Sequence, residues 1–392
     1  MLSSAAHLWL TGCGMAVTAT AMAYTIIATV AAVVWTRRWR NASATTLTST
    51  AGAVLDARAV TVLKPLCGAE PDLYLALRSF CEQDYPGFQI VFGIRDASDP
   101  AAHVVRRLQR EFPKLALELV VDARTHGRSL KVSNLINMMG AAAHECIVLA
   151  DSDVRVPRDY LARVVAPLAD PSVGIVTCPY RAVARGGAWS VLLAAFVNDW
   201  FMPSVLVAAS FGSRAFAFGA TIAMRREVLR AIGGFKTIAD QLADDYRLGE
   251  LTRRNGLRTV LSDVVVETYV DEPSAPALVR HELRWLRTIR TVRPAGYLFS
   301  LPSFGWPVAA LGCLLAAGAH AALLMLAITG GARVLLHFAV RSTGSALFQL
   351  WVLPLNDLLA FLLWAWGFVS RRVHWRAARY RVARDGSVQP LA

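Results

Sequence analysis

The chain has 392 residues, 55% of them hydrophobic and 18% charged, against roughly 45–50% apolar and about 25% charged in an ordinary soluble domain. Its 41 Lys+Arg against 28 Asp+Glu leave a net charge of +13, which excludes an acidic solvating tail and favours anionic headgroups, phosphates or nucleic acid as partners. The six cysteines (Cys13, Cys67, Cys81, Cys146, Cys178 and Cys313) lie far apart with no C-x-x-C pair. A disulfide framework, structural zinc and a thioredoxin-like site therefore have no support, and a reducing compartment is the simpler reading.

Residues 1–40 read as a membrane anchor. Gly14 to Trp35 carries no charge, and about 22 residues rising ~1.5 Å each cross a hydrocarbon core of roughly 30 Å. Arg37, Arg38 and Arg40 follow the apolar run and no Lys or Arg precedes it. That order argues against a cleaved signal peptide, and by the positive-inside rule it leaves the remainder of the chain cytoplasmic. The Ser/Thr/Ala-rich stretch at 41–57 is a linker, and 58–272 suits one domain.

Within that domain short apolar runs alternate with helical patterns, the signature of parallel strands joined by crossover helices. Val60 to Leu66 is a strand, after which Pro71 opens a helix where its missing N–H does no harm. Strands follow at Gln89 to Ile94, ending in Arg95-Asp96, and at Leu117 to Val121; a helix then runs from Ser129 to Ala143. Cys146 to Ala150 is a buried strand stopped by Asp151-Ser152-Asp153. In open α/β sheets ligands bind beyond the carboxyl ends of the strands, where Asp96, Asp151 and Asp153 fall. A D-x-D at a strand end supplies hard oxygen ligands for Mg²⁺ or Mn²⁺, although alone it is as readily a solvated turn.

Residues 273–299 form an amphipathic stretch. At 100° per residue Leu278, Val279, Trp285, Leu286, Ile289 and Val292 share one arc, and Arg280, Arg284, Arg287 and Arg290 another, the pattern of a helix lying in a membrane interface. Two apolar zones, Phe304 to Thr329 and Ala346 to Val369, make residues 300–371 a second membrane region and bring the expected spans to three. Between them Arg333, His337 and Arg341 suit an external loop or interfacial helix, with a further crossing possible. Asp357 inside a span pairs within the bundle or meets a polar substrate group. The tail at 372–392 is basic.

Several motifs in fixed order carry a resemblance. They are Thr61-Val62-Leu63-Lys64-Pro65-Leu66-Cys67-Gly68, Asp84-Tyr85-Pro86, Asp96-Ala97-Ser98-Asp99-Pro100, Gly127 with Lys131, Asn134 and Leu135, Asp151-Ser152-Asp153-Val154-Arg155-Val156, Gly233-Gly234-Phe235, Ala243-Asp244-Asp245-Tyr246, His281-Glu282-Leu283-Arg284-Trp285, Trp375-Arg376, and Arg379-Tyr380-Arg381. Together they resemble a family 2-type glycosyltransferase of the GT-A fold, in the ceramide glucosyltransferase-like group, over nearly the whole chain. Asp153 stands where those enzymes show Gly, and His281 where Gln or Arg is usual. Both departures bring the chain nearer to the bacterial hopanoid-biosynthesis glycosyltransferases.

The resemblance implies an α/β GT-A domain, Rossmann-like with a mostly parallel sheet, between membrane helices. It implies transfer from a UDP-sugar, UDP-N-acetylglucosamine rather than UDP-glucose, to a lipid hydroxyl at a bacterial inner membrane, with a divalent metal, Mg or Mn. Asp96 would contact uracil or ribose, Asp151 and Asp153 the ribose and the metal, and Lys131 would add positive charge. Asp245 would be the general base, with Asp244 a helix N-terminal acid. Arg284 would bind the diphosphate, Trp285 would border both the nucleotide sugar and the acceptor, and His281 would face the acceptor. The competing readings are a ceramide glucosyltransferase using UDP-glucose, a processive polysaccharide synthase, and a transporter or scaffold, which three spans with one acid serve poorly. Nucleic acid is the least needed partner.

Overall fold

The computed structural model describes residues 4–49, 59–68, 70, 72–341, 349–370, 372–375, 378–383 and 386–390. Its centre is a seven-stranded sheet of order β3-β2-β1-β4-β8-β6-β9. Strands β1 (Val60–Pro65), β2 (Phe88–Ile94), β3 (Ala116–Val121) and β4 (Cys146–Leu149) are mutually parallel, joined through helices α2 (Leu73–Cys81), α3 (Ala101–Glu111) and α4 (Leu130–Met138). β2 is buried along its whole length, because helices cover both faces of the sheet, and its apolar run is accordingly continuous rather than alternating.

After the two-residue β5 (Val154–Arg155) come α5 (Tyr160–Val165), β6 (Val173–Thr177) and β7 (Tyr180–Ala184). Helix α6 (Ala188–Ala195), a π-helical turn (Phe196–Phe201) and α7 (Met202–Ser210) then run on without a break. β8 (Ile222–Arg225) lies antiparallel between β4 and β6. It is followed by α8 (Arg226–Ala231), α9 (Asp244–Arg254), β9 (Arg258–Leu261) and β10 (Val266–Val270). A small second sheet, β5-β10-β7, braces the β4 end of the large one.

The membrane-facing part contains α1 (Ser4–Ser49), α10 (Ala275–Val292), α11 (Pro294–Leu298), α12 (Gly305–Leu315), α13 (His320–Val340) and α14 (Val352–Gly367). The tail folds as an antiparallel meander, β11 (Arg372–Trp375), β12 (Ala378–Val382) and β13 (Val388–Pro390).

The mostly parallel α/β sheet between apolar helices is the fold class expected. Several boundaries differ. Helix α1 continues through Ser49, so the first half of the expected linker is helical, and 50–58 lie outside the described residues, as does Pro71. Helix α4 ends at Met138, short of Ala143. Among the described residues, three stretches are long and apolar enough to cross a membrane: Ser4–Trp39, Ala188–Ser210 and His320–Val340. The second of these lies inside the segment read as soluble domain, where its burial against the sheet makes an apolar core helix and a membrane helix look alike in composition.

The zone Phe304 to Thr329 is divided between α12 and α13 by a turn in which Ala317 and Gly318 both take positive φ. Helix α14 has 16 residues, about 24 Å at 1.5 Å per residue, less than a full span; residues 346–348 of the expected zone lie outside the described residues. The segment around Arg333, expected as an external loop or an interfacial helix with a further crossing possible, is part of the long apolar α13, whose bases point into the bundle. Arg333 Nε and Nη2 donate to the two oxygens of Asp357 at 2.7 and 2.6 Å, which fits the packing reading of that acid. His337 and Arg341 engage Asp199 on the π-turn. Charged side chains at membrane depth are expensive unless paired, and these are.

Small residues let α1 and α12 approach closely. A Cβ on Gly14 would lie 2.4 Å from the Gly312 carbonyl, and one on Gly312 would lie 2.5 Å from Thr18 Oγ1, the small-residue packing that helices use where water cannot drive them together. Gly312→Leu should separate the two helices and destabilise the protein by about 1–3 kcal/mol, seen as a lower unfolding midpoint in detergent. Gly331→Leu, where nothing lies within 4 Å of an added Cβ, should leave the midpoint unchanged.

Candidate active site

The parallel strands end together. Leu63 pairs with both Val91 and Leu149, so the loops after β1, β2 and β4 open on one edge of the sheet. A cavity of about 360 Å³ there is lined by Leu66, Cys67, Arg95, Asp99, Asn134 and the D-x-D. A second, of about 630 Å³, shares Glu70, Lys131, Asp151 and Asp153 with it, passes Asp244 and Asp245, and reaches His281, Arg284 and Trp285. Its far wall is apolar: Leu193, Phe201, Val205, Phe216, Phe218 and Ile289.

Lys131, near the start of α4, lies between the acids, with Nζ 2.5 Å from Asp151 Oδ1 and 3.6 Å from Asp244 Oδ2. Burial disfavours its charge, but the carboxylates of Asp151, Asp244 and Asp245 outweigh that and raise its pKa above the usual lysine range. Behind the D-x-D, the fully buried Lys64 donates to the Asp151 carbonyl and sits 3.9 Å over the Phe80 ring; burial pulls its pKa down to about 7. Asp153 accepts a 2.6 Å hydrogen bond from the Thr268 hydroxyl on β10. Burial, with Asp151 adding repulsion, lifts its pKa to about 6.

Asp245 opens α9, and its two oxygens accept from backbone N–H groups, Oδ2 from Gly219 at 2.9 Å and Oδ1 from Tyr246 at 2.7 Å. Burial first, then Asp244, raise its pKa to about 6. Gly219 is needed for closeness: a Cβ there would lie 2.9 Å from Asp151 Oδ2 and 3.2 Å from Lys131 Nζ. The loop before α9 is tied to the tail, the Leu242 N–H donating to the Gly386 carbonyl at 3.1 Å.

Helix α10, N-capped by Ser274, turns Arg284 into the large cavity. Burial lowers its pKa, while Glu272, Asp245 and Asp151 act in the opposite sense. Trp285 packs on Phe196 and Phe201. His281 Nδ1 lies 2.6 Å from Glu272 Oε1. The arginine arc is not one lipid-facing stripe: Arg290 donates to the carbonyls of Gly367, the last residue of α14, and of Ser370 beyond it, and Arg280 is exposed.

The fold thus gathers Lys131, Asp151, Asp153, Asp245, His281, Arg284 and Trp285 around one cavity. Asp96 stands apart at the exposed rim, where its Oδ1 accepts from the N–H and hydroxyl of Ser98, hydrogen bonds that hold its pKa low; Asp99 lines the smaller cavity instead. Lys64, Gly219, Thr268 and Glu272 were not singled out from sequence. Only Lys64 gave a signal, as a base in the middle of an apolar strand. Among the described residues no three His, Cys, Asp or Glu side chains are spaced to hold a metal. The hard oxygens of Asp151 and Asp153, with Glu70 raising the negative charge felt by Asp153, still suit a Mg²⁺-type ion, which takes one or two carboxylates and completes its shell with phosphate and water.

Among the described residues Glu282 has no hydrogen-bond partner for either oxygen, and burial, then Glu272, raise its pKa to about 8. From pH 4.5 to about 8 the unfolded chain gives up this proton while the folded protein retains it, so stability falls as pH rises through that window. Glu282→Gln should raise the unfolding midpoint at pH 8, with the gain vanishing toward pH 4.5 in parallel thermal melts.

Over 233 residues the chain is 24% identical to ceramide glucosyltransferase 3 of Caenorhabditis elegans, covering 58% of this chain and 50% of that one. Over 242 residues it is 26% identical to an N-acetylglucosaminyltransferase of Rhizobium meliloti, covering 59% and 55%. The chain spans about half the length of these relatives. Among solved structures it is similar to the mannosyltransferase PcManGT from Pyrobaculum calidifontis in complex with GDP-Man and Mn²⁺, at 24% identity and a TM-score of 0.47, over 89% of this chain and 99% of that one. The model of Glycosyl transferase family 21 matches residues 15–388, and the chain belongs to that family.

Proposed function

We propose that the protein is a membrane-bound inverting hexosyltransferase of the GT-A type. It moves a sugar from a UDP-sugar, UDP-N-acetylglucosamine in preference to UDP-glucose, to a hydroxyl of a lipid, a hopanoid such as bacteriohopanetetrol, at the cytoplasmic face of a bacterial inner membrane. One observation carries this reading: a single cavity joins Asp151, Asp153, Asp244 and Asp245 to an apolar wall of Leu193, Phe201, Val205, Phe216, Phe218 and Ile289. A cytosolic nucleotide and a lipid can meet there.

In this reading Asp245 takes the proton of the acceptor hydroxyl as its oxygen attacks the anomeric carbon from the side opposite the diphosphate. The bond to the diphosphate breaks and its electron pair leaves with UDP, so configuration inverts. Lys131 and Arg284 face the charge that develops, where preorganised cations contribute most. Asp151 and Asp153 would hold a divalent cation, Mg or Mn, which when bound supplies positive charge to the diphosphate. Trp285 and the phenylalanines receive the lipid, and Asp96 reaches the nucleoside from the rim.

Membranes containing the protein, given UDP-N-acetylglucosamine or UDP-glucose with candidate lipids, should yield a monoglycosylated lipid by mass spectrometry; a growing polymer or a soluble product would overturn the reading. Because Asp245 is a base only when ionised, kcat/KM should fall as pH drops through about 6. Asp245→Asn should keep UDP-sugar binding while transfer drops by about 10²–10⁴-fold, and unchanged turnover would remove the base from Asp245.

A further inference from the structure

The pairing of His281 with Glu272 has no part in the chemistry above. Glu272 is 9% exposed and follows β10 by two residues; His281 lies in the second turn of α10. An ionised carboxylate only accepts, so the 2.6 Å contact places the imidazole proton on Nδ1 and leaves Nε2 as the free position. The Trp285 ring, edge-to-face at 4.7 Å and 82°, fixes the orientation of the imidazole. Nε2 has no partner among the described residues, and the side chain borders the large cavity. This pairing of a carboxylate with Nδ1 is how proteins set which imidazole nitrogen they present to a ligand.

Position in the cavity narrows what that ligand is. Asp245 and Arg284 lie on the polar side, while Trp285, Phe201 and Phe218 begin the apolar wall. An acceptor with its hydrocarbon on that wall and its reacting hydroxyl at Asp245 leaves the rest of its head beside His281. A hydroxyl suits Nε2 in either protonation state, because it both donates and accepts.

We infer that His281, oriented by Glu272, is a specificity-determining residue whose Nε2 hydrogen-bonds a second hydroxyl of the acceptor head, so that the site selects lipids bearing two or more head hydroxyls over lipids bearing one. The inference rests on the lipid-acceptor reading of the site. A site built to bind a hydroxyl rejects the analogue that lacks it, because the protein's polar group is then left without a partner.

The test uses the full-length protein in detergent, one donor nucleotide sugar, and two acceptors with the same hydrocarbon, one carrying a polyhydroxylated head and the other a single hydroxyl. In His281→Phe, and in His281→Asn, whose amide reaches only the Nδ1 position, kcat/KM for the polyhydroxylated lipid should fall about 10–100-fold, chiefly through the acceptor KM. In His281→Gln, whose amide reaches the Nε2 position, much of that loss should be recovered. The single-hydroxyl lipid should lose much less than the polyhydroxylated one, and the donor KM should be unchanged. Equal losses on both acceptors, or no loss on either, would overturn the inference while leaving lipid transfer intact. Should wild type glycosylate neither lipid, the acceptor reading and the inference fall together. Should His281→Phe not fold, as judged by its melting and donor binding, the Asn and Gln variants decide the matter.

Discussion

The ion pair on which the site depends is that of Lys131 with Asp151 and Asp244. Asp151 ends a strand in the middle of the large sheet and Asp244 begins α9, a helix nearly one hundred positions further along the chain. The lysine that bridges them comes from α4, on the other side of β4 in sequence. Without that charge, Asp151, Asp153, Asp244 and Asp245 would face one another across a cavity with little water to screen them, and mutual repulsion would push the loops apart. The raised pKa values of Asp153 and Asp245 come first from burial and then from this repulsion, which Lys64 eases at Asp153 and Lys131 at Asp245.

The same crowding explains how the surroundings are built. Gly219 has no side chain because one would collide with Asp151, and its N–H is thereby free to hold Asp245. Lys64 puts a second positive charge behind the strand end, at the expense of burying an amine. The small sheet supplies Thr268 to hold Asp153. On the membrane side the bundle handles charge by pairing instead: Arg333 with Asp357, and His337 and Arg341 with Asp199. Asp199 sits in a π-helical turn, and that turn carries Phe201 into the cavity wall. A polar contact inside the bundle thus fixes the position of an apolar side chain at the site.

Much of this was legible in the sequence because it is local. Continuous apolar runs marked β1, β2 and β4, and acids just after β2 and β4 marked the open edge of the sheet; Asp96, Asp151 and Asp153 follow from such short patterns, whereas Asp245 came from the family resemblance. Glu272 was not legible, since its partner lies on the next helix and no spacing rule links an acid just after a strand to a histidine nine residues on. Gly219 was hidden for a similar reason: its value lies in what approaches it from β4 and α4. The membrane segments failed in a third way. Hydropathy sees an apolar stretch but not its neighbours, so it could not tell that Ala188–Ser210 packs under the sheet, nor that the bases of α13 already had acids waiting within the bundle.

The tail adds a constraint of timing. The Leu242 N–H, two residues ahead of the Asp244-Asp245 pair, is bound to the carbonyl of Gly386, which follows every membrane helix in the chain. That hydrogen bond cannot exist until the chain has been made through Gly386 and that residue has left the ribosome. The loop that presents Asp245 is therefore among the last features of the molecule to be fixed, and a nascent chain with a finished sheet still lacks it. Assembly of the site is coupled in this way to completion of the membrane domain.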